Sequence, residues 1–253
     1  MIMPLRNFNR QFFRGIAVVT EKNIRLYYTK PPVIIFGFLF PLFMFLAFYL
    51  GKEVDFYVFF PGLLAMFLFF IASSVGPLIT PWEKQAGTYE RLLSFPVSIT
   101  TIILGDSAAG MIFGIMINVV VLAVGLITLN YCLNIMILCL GMLLGAFCFS
   151  SLGVLLASPS VPNPSYVMMF SSIIRFPLIF ISGIFIPLED LHGLGRMLCY
   201  FSPITYLVDI FNFSLRGQSN ISLIVDFAAL FIFSLIFVYL ANRSHKRNLM
   251  RGL

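Results

Sequence analysis

The charged side chains best placed to do chemistry stand in one run, TPWEKQAGTYERLLSFPVS, residues 80–98, which holds Glu83, Lys84, Glu90 and Arg91. Two acids and two bases at such close quarters suit a protein partner of complementary charge. A helix lying on lipid would favour Lys and Arg alone on its polar face. A second candidate is Arg175, inside the apolar run FSSIIRFPLIF, where a charge costs at least about 2.5 kcal/mol. It must face protein, water or an anionic group, and reads equally as a substrate contact or as a lock between helices. Pro177 lacks an N–H and so frees a backbone carbonyl that Arg175 can bond. Asn118, in an earlier apolar run, suits interhelical hydrogen bonding better than ligand binding.

Enzymatic chemistry finds little support. An intramembrane serine protease needs a His at membrane depth, and His192 and His245 both fall outside the apolar runs. An aspartyl type uses a GxGD run, but Ile103, Leu104, Gly105 and Asp106 lack the first glycine. Zinc hydrolysis wants clustered His or Cys, whereas Cys132, Cys139, Cys148 and Cys199 show no CxxC spacing and read as structural filler. No GxxxxGK[ST] phosphate loop occurs. A secondary transporter or channel would show internal repeats and several ionisable groups at the midplane, and only Arg175 qualifies.

The elements that must hold these residues follow from composition. Of 253 residues, 60% are hydrophobic and 10% charged, with a mean hydropathy of +1.01, so the chain is an integral membrane protein. Runs of roughly 20 apolar residues are the unit that crosses a bilayer. Six are predicted, at 32–50, 57–79, 107–128, 135–156, 166–186 and 221–241. None alternates apolar with polar as a barrel strand would; the predicted class is all-α. The first run is too long for a cleavable signal. With six spans both termini share one face, which carries 12 of the 16 basic residues and is therefore cytoplasmic. The net charge of +6 is accounted for by this topology and by anionic headgroups, without nucleic acid.

Residues 1–31 form an N-terminal segment in which Phe13, Ala17, Thr20, Ile24 and Tyr27 make a helical stripe beside Arg10, Arg14 and Arg25, as in an interfacial amphipathic helix. Residues 187–219 mix apolar pieces with Gly, Pro and charge, and are predicted as short external re-entrant helices. Gly110 with Gly114, and Gly141 with Gly145, form GxxxG pairs that permit close helix packing. The 30 phenylalanines are expected mostly to face lipid, with some available to a large amphipathic cargo.

Residues 80–98 are predicted as one capped helix of about three turns. Thr80 caps, Pro81 opens the first turn, and Glu83 completes a capping box. Trp82, Ala86, Tyr89 and Leu93 make its apolar face, and Phe95 before Pro96 ends it.

The run EKQAGTYERLLSFPV, Glu83 to Val97, resembles the signature between the second and third spans of the membrane subunits of type-two ATP-binding-cassette exporters. SGIFIPL, Ser182 to Leu188, and FSPITYLVD, Phe201 to Asp209, are similar to that family's end of span five and its external helices. The chain departs from the family at Leu191 to Gly195, where a proline is usual. The resemblance implies one transmembrane domain over 1–253 in the cell membrane, acting as a permease half. It implies pairing with a second copy or a homologous permease, and with two ATPase subunits that carry the ATP and Mg²⁺, none being bound by this chain. Trp82, Glu83, Lys84, Gly87, Thr88, Glu90 and Arg91 would contact the ATPase. Pro187, Pro203, Tyr206 and Asp209 would build the external cap, and Arg175 and Asn118 would line the path or lock helices. Drugs or small amphipathic molecules are the expected cargo, because the E-x-x-x-G-T-x-E pattern is best developed in those exporters; lipid-linked polysaccharides and ions are the alternatives.

Overall fold

The computed structural model describes residues 5–27, 31–51, 55–95, 97–129, 131, 134–159, 163–185 and 192–250. The described residues are helical, with no strand among them. Helix α1 runs Leu5–Tyr27. A continuous helical stretch follows, made of α2 (Pro31–Ile34), a π-helical turn (Ile35–Leu39) and α3 (Phe40–Gly51). Then come α4 (Phe56–Ser74), α5 (Gly76–Gln85), α6 (Thr88–Ser94), α7 (Ile99–Thr128), α8 (Ile135–Leu156), α9 (Pro164–Phe180), α10 (Leu194–Cys199), α11 (Pro203–Arg216) and α12 (Leu223–Met250).

Among the described residues, four helical segments are long and apolar enough to cross a membrane: Phe56–Gln85, Ile99–Ile127, Ile135–Leu156 and Leu223–Asn248. Gly37–Ala47 and Pro164–Phe180 are shorter apolar helices, within the runs at 32–50 and 166–186.

The core is built around α4, every residue of which from Phe60 to Ser74 is buried. It packs against α7, α8 and α11. Phenylalanine is therefore less a lipid-facing residue than composition suggests. Phe60, Phe67, Phe69, Phe70, Phe149 and Phe211 are core residues, and Phe69 meets Phe149 edge-on at 5.1 Å. Exposed apolar side chains are found on α7 and α12, such as Val120, Ile127, Ile224 and Leu235.

Between α4 and α5 the helix breaks at Val75. Pro77 has no N–H to give the Ser73 carbonyl, and the Ser73 and Ser74 hydroxyls bond back to Phe69 O and Phe70 O, both recognised causes of helix bending. The freed Ser73 carbonyl lies 2.6 Å from where a Cβ on Gly153 would stand, and a Cβ on Gly76 would stand 2.5 Å from the Gly153 carbonyl carbon. The α4–α5 bend and α8 thus touch backbone to backbone. The GxxxG glycines are contact points too. A Cβ on Gly110 would lie 2.9 Å from Ala72 O and one on Gly114 3.0 Å from Ala72 Cβ, while Gly141 and Gly145 admit Ile210 and Leu207 of α11.

Candidate functional site

The run at 80–98 folds differently from its capping pattern. Past the break at Val75 the second apolar run goes on as α5, which runs through Thr80 and Pro81, both buried, and ends only at Gln85. Thr80 is no cap and Glu83 completes no capping box. Ala86 N–H donates to Trp82 O at 2.9 Å and Gly87 N–H to Lys84 O at 3.2 Å. Gly87 then turns the chain with φ 67 and ψ 7, a left-handed conformation that glycine adopts without steric cost. A separate short helix, α6, follows, and Phe95 stops it in extended geometry before Pro96. The predicted single three-turn helix is a knuckle: a helix end, a glycine turn and a second short helix. Thr88 Oγ1 closes the turn by donating to Glu83 O at 3.2 Å.

The knuckle divides its charges. Glu83 is 2% exposed, its carboxylate paired with Lys22 of α1. It therefore does not stand on the outer surface with Lys84, Glu90 and Arg91, as the sequence pattern suggests. Glu90 and Arg91 are exposed, with Gln85, Ala86, Thr88 and Ser94 beside them, and Phe95 is 63% exposed. Trp82 and Lys84 are half-buried, and the Lys84 ammonium stands 5.6 Å from the Tyr89 ring centre.

Beneath the knuckle lies a polar junction of four helices. Asn23 Nδ2 of α1 donates to Asp106 Oδ1 of α7 at 2.7 Å, and Thr20 Oγ1 donates to Ile16 O at 2.8 Å and Gly105 O at 3.1 Å. Gly105 permits the approach, since a Cβ there would fall 2.6 Å from Val19 Cβ. Tyr89 of α6 is buried over this group. Burial first, and then the carboxylates of Asp106 and Glu83, raise its phenol pKa well above the ordinary value, so it stays protonated.

Helix α1 thus turns Val19, Thr20 and Asn23 inward and leaves Phe13, Val18, Ile24 and Leu26 exposed. The predicted stripe placed Thr20 with Phe13, Ala17 and Ile24 on one face. The buried face is the polar one because it has Asp106 and Glu83 to satisfy it. Sequence reasoning missed Lys22, Asn23 and Asp106 as a group. The available signal was an acid at the start of an apolar run, directly after a glycine.

Within the bundle, Arg175 is 2% exposed. Its Nη1 donates to Ser74 Oγ at 2.9 Å and its Nε to Ser171 O at 3.4 Å; the carbonyl expected to be freed by Pro177 is not its partner. Asn118 is fully buried, and neither polar atom of its side chain has a hydrogen-bond partner among the described residues, so the expected interhelical bond is absent there.

On the opposite end, α10 and α11 follow α9. Ser202 Oγ donates to Leu178 O at 2.9 Å, fastening them to α9, and Pro203 begins α11 in a buried position. Tyr206 donates to Tyr200 O at 2.9 Å. Asp209, buried in α11, accepts from Asn220 N at 2.8 Å, Ile221 N at 3.0 Å and Ser219 Oγ at 2.9 Å. It thereby holds the loop that enters α12. Pro187 lies outside the described residues.

Apolar helices of membrane-crossing length, packed round a buried helix whose end projects as a charged knuckle, define a polytopic membrane protein. The chain belongs to the ABC-2 type transporter family, whose sequence profile matches residues 14–215, from α1 to the end of α11. It is also similar to nodulation protein J of Rhizobium leguminosarum bv. trifolii, at 24% identity over 168 residues, 65% of this chain and 63% of that protein. The matched region thus spans less than two thirds of that relative's length. Family membership makes this a permease-type membrane domain of a transporter.

Proposed function

We propose that the chain is the permease half of an ATP-driven exporter in the cell membrane, working as a dimer with two ATPase subunits. In this reading the helices at 32–50 and 166–186 complete six spans, α1 lies at the cytoplasmic interface, and α10 and α11 form a re-entrant external cap. Both termini and the knuckle face the cytoplasm, as the distribution of basic residues supports. The observation that carries the reading is the knuckle. Thr88, Glu90 and Arg91 are exposed on a short helix, with Phe95 exposed just beyond its end, and the other side is anchored by Tyr89 and the partly buried Glu83–Lys22 pair. A surface of mixed charge with an apolar tip, mounted on α5 beyond the bend from α4, suits a partner that pushes.

ATP-driven movement of the ATPase subunits would then be transmitted through α6 and α5 to the bend at Val75, and through the polar junction to α1 and α7. The cargo proposed is a drug or small amphipathic molecule; lipid-linked polysaccharide and ions are the alternatives within the family. The test is co-reconstitution with the cognate ATPase. The reading expects ATP-dependent export that Glu90→Lys abolishes while assembly and basal ATP hydrolysis persist. Transport driven by an ion gradient in the absence of any ATPase would show instead a secondary transporter.

A further inference from the structure

Arg175 is a buried cation whose described polar contacts are all neutral. It projects from α9 in the bundle interior, and no described carboxylate lies within ion-pair distance of it. A guanidinium carries five N–H donors. Here described acceptors are found for Nη1, at Ser74 Oγ, and for Nε, at Ser171 O. One turn away on the same helix, the Ser171 hydroxyl is fully buried and has no hydrogen-bond partner among the described residues. The Ser74 hydroxyl hydrogen goes to Phe70 O, so Ser74 serves the guanidinium only as a neutral acceptor.

A lock between α4 and α9 would need no full charge: an amide or hydroxyl would make the same bond to Ser74. Keeping a cation buried here, with no counter-charge among the described residues, costs free energy that a lock does not recover. Ser74 also stands at the α4–α5 bend.

We infer that Arg175, with Ser171 beside it, is the recognition point for the anionic group of an amphiphile, a phosphate or carboxylate head carried on an apolar tail. The planar fork of a guanidinium matches such a head in two parallel hydrogen bonds. This rests on the transport reading above and narrows its cargo.

The experiment uses the full-length permease in phosphatidylcholine nanodiscs, with a photoactivatable alkyl phosphate as probe and no ATPase present. Displacement by dodecyl phosphate is expected at about tenfold lower concentration than by dodecyltrimethylammonium or dodecyl maltoside. R175Q should erase that preference, R175K should weaken it, and S171A should reduce it by a few fold. Adducts should map to α4 or α9. The inference is overturned if the wild-type protein shows no charge preference, if R175Q keeps it, or if adducts lie only elsewhere. Inorganic phosphate competing as well as dodecyl phosphate would overturn the amphiphile assignment. Discs containing phosphatidylglycerol separate two sources of the anionic head: displacement there assigns it to a bilayer lipid, and persistence of the probe assigns it to a single-chain cargo. Because binding is read without ATP, its failure leaves the ATP-coupled reading standing, and loss of ATP coupling leaves the binding result intact.

Discussion

Glu83 and Glu90 carry the same side chain in the same short motif and have opposite surroundings. Replacing Glu90, which is exposed, should leave folding within about 0.5 kcal/mol of wild type, the usual range for surface substitutions. Any loss of ATPase stimulation then reports on docking. Replacing Lys22 is a different experiment, because it strands the Glu83 carboxylate, 3% exposed in its side chain, without its cation. Breaking a buried pair costs roughly 3–5 kcal/mol, and the lower part of that range is expected here because Lys22 is partly exposed. Lys22→Ala should lower the thermal midpoint of the detergent-solubilised protein. The swap K22E with E83K should recover most of it, and failure to recover would show that the junction depends on more than this pair. The sequence displayed all four charges of the knuckle but not which of them would be covered. Glu83's partner lies on another helix 61 residues away, and only the packing of α1 on α7 brings it there.

Helix boundaries were the least legible feature of the elements. Thr80-Pro81 satisfies the chemistry of a helix start, yet the same residues are accommodated inside α5, where Ser73, Ser74 and Pro77 have already bent the helix before it reaches them. Apolar runs were more legible, since four of the six predicted are helices of membrane-crossing length among the described residues, and bilayer thickness rather than local chemistry sets that length. The close backbone approach of Gly76 and Gly153 makes Gly153→Ala a sharp probe. A new Cβ would meet the Ser73 carbonyl oxygen at 2.6 Å and force the bend away from α8. A cost of about 1–3 kcal/mol is expected for such overpacking, read as a lower thermal midpoint. Gly87→Ala differs, since a Cβ there meets nothing within 4 Å and the penalty is the left-handed backbone alone, about 1–2 kcal/mol. Its expected signature is a reoriented α6, with ATPase stimulation falling further than thermal stability; equal losses would argue against the knuckle as a transmitting element.

At the scale of the molecule, topology is the expectation most open to direct measurement. In a background with the native cysteines replaced, R196C in α10 should react with a membrane-impermeant maleimide in intact cells. T88C in the knuckle should react only after permeabilisation, and the reverse pattern would invert the whole assignment. The helical class was legible from composition together with apolar runs that do not alternate as barrel strands would. The central place of α4 was not, because hydropathy treats a helix hidden by protein and one facing lipid alike. Helix α12 adds a consequence of a different kind. Beyond the apolar part of α12, Asn242 accepts from Thr100 Oγ1 at 3.3 Å, Ser244 donates to Ser158 Oγ at 2.9 Å, and Asn248 donates to Ser158 O at 2.6 Å. These bonds stitch α12 to the start of α7 and the chain just after α8, helices synthesised well before it. During biogenesis the earlier spans must therefore wait in the bilayer with these polar groups unjoined, and the arrival of α12 is the step that tells a finished subunit from a nascent one.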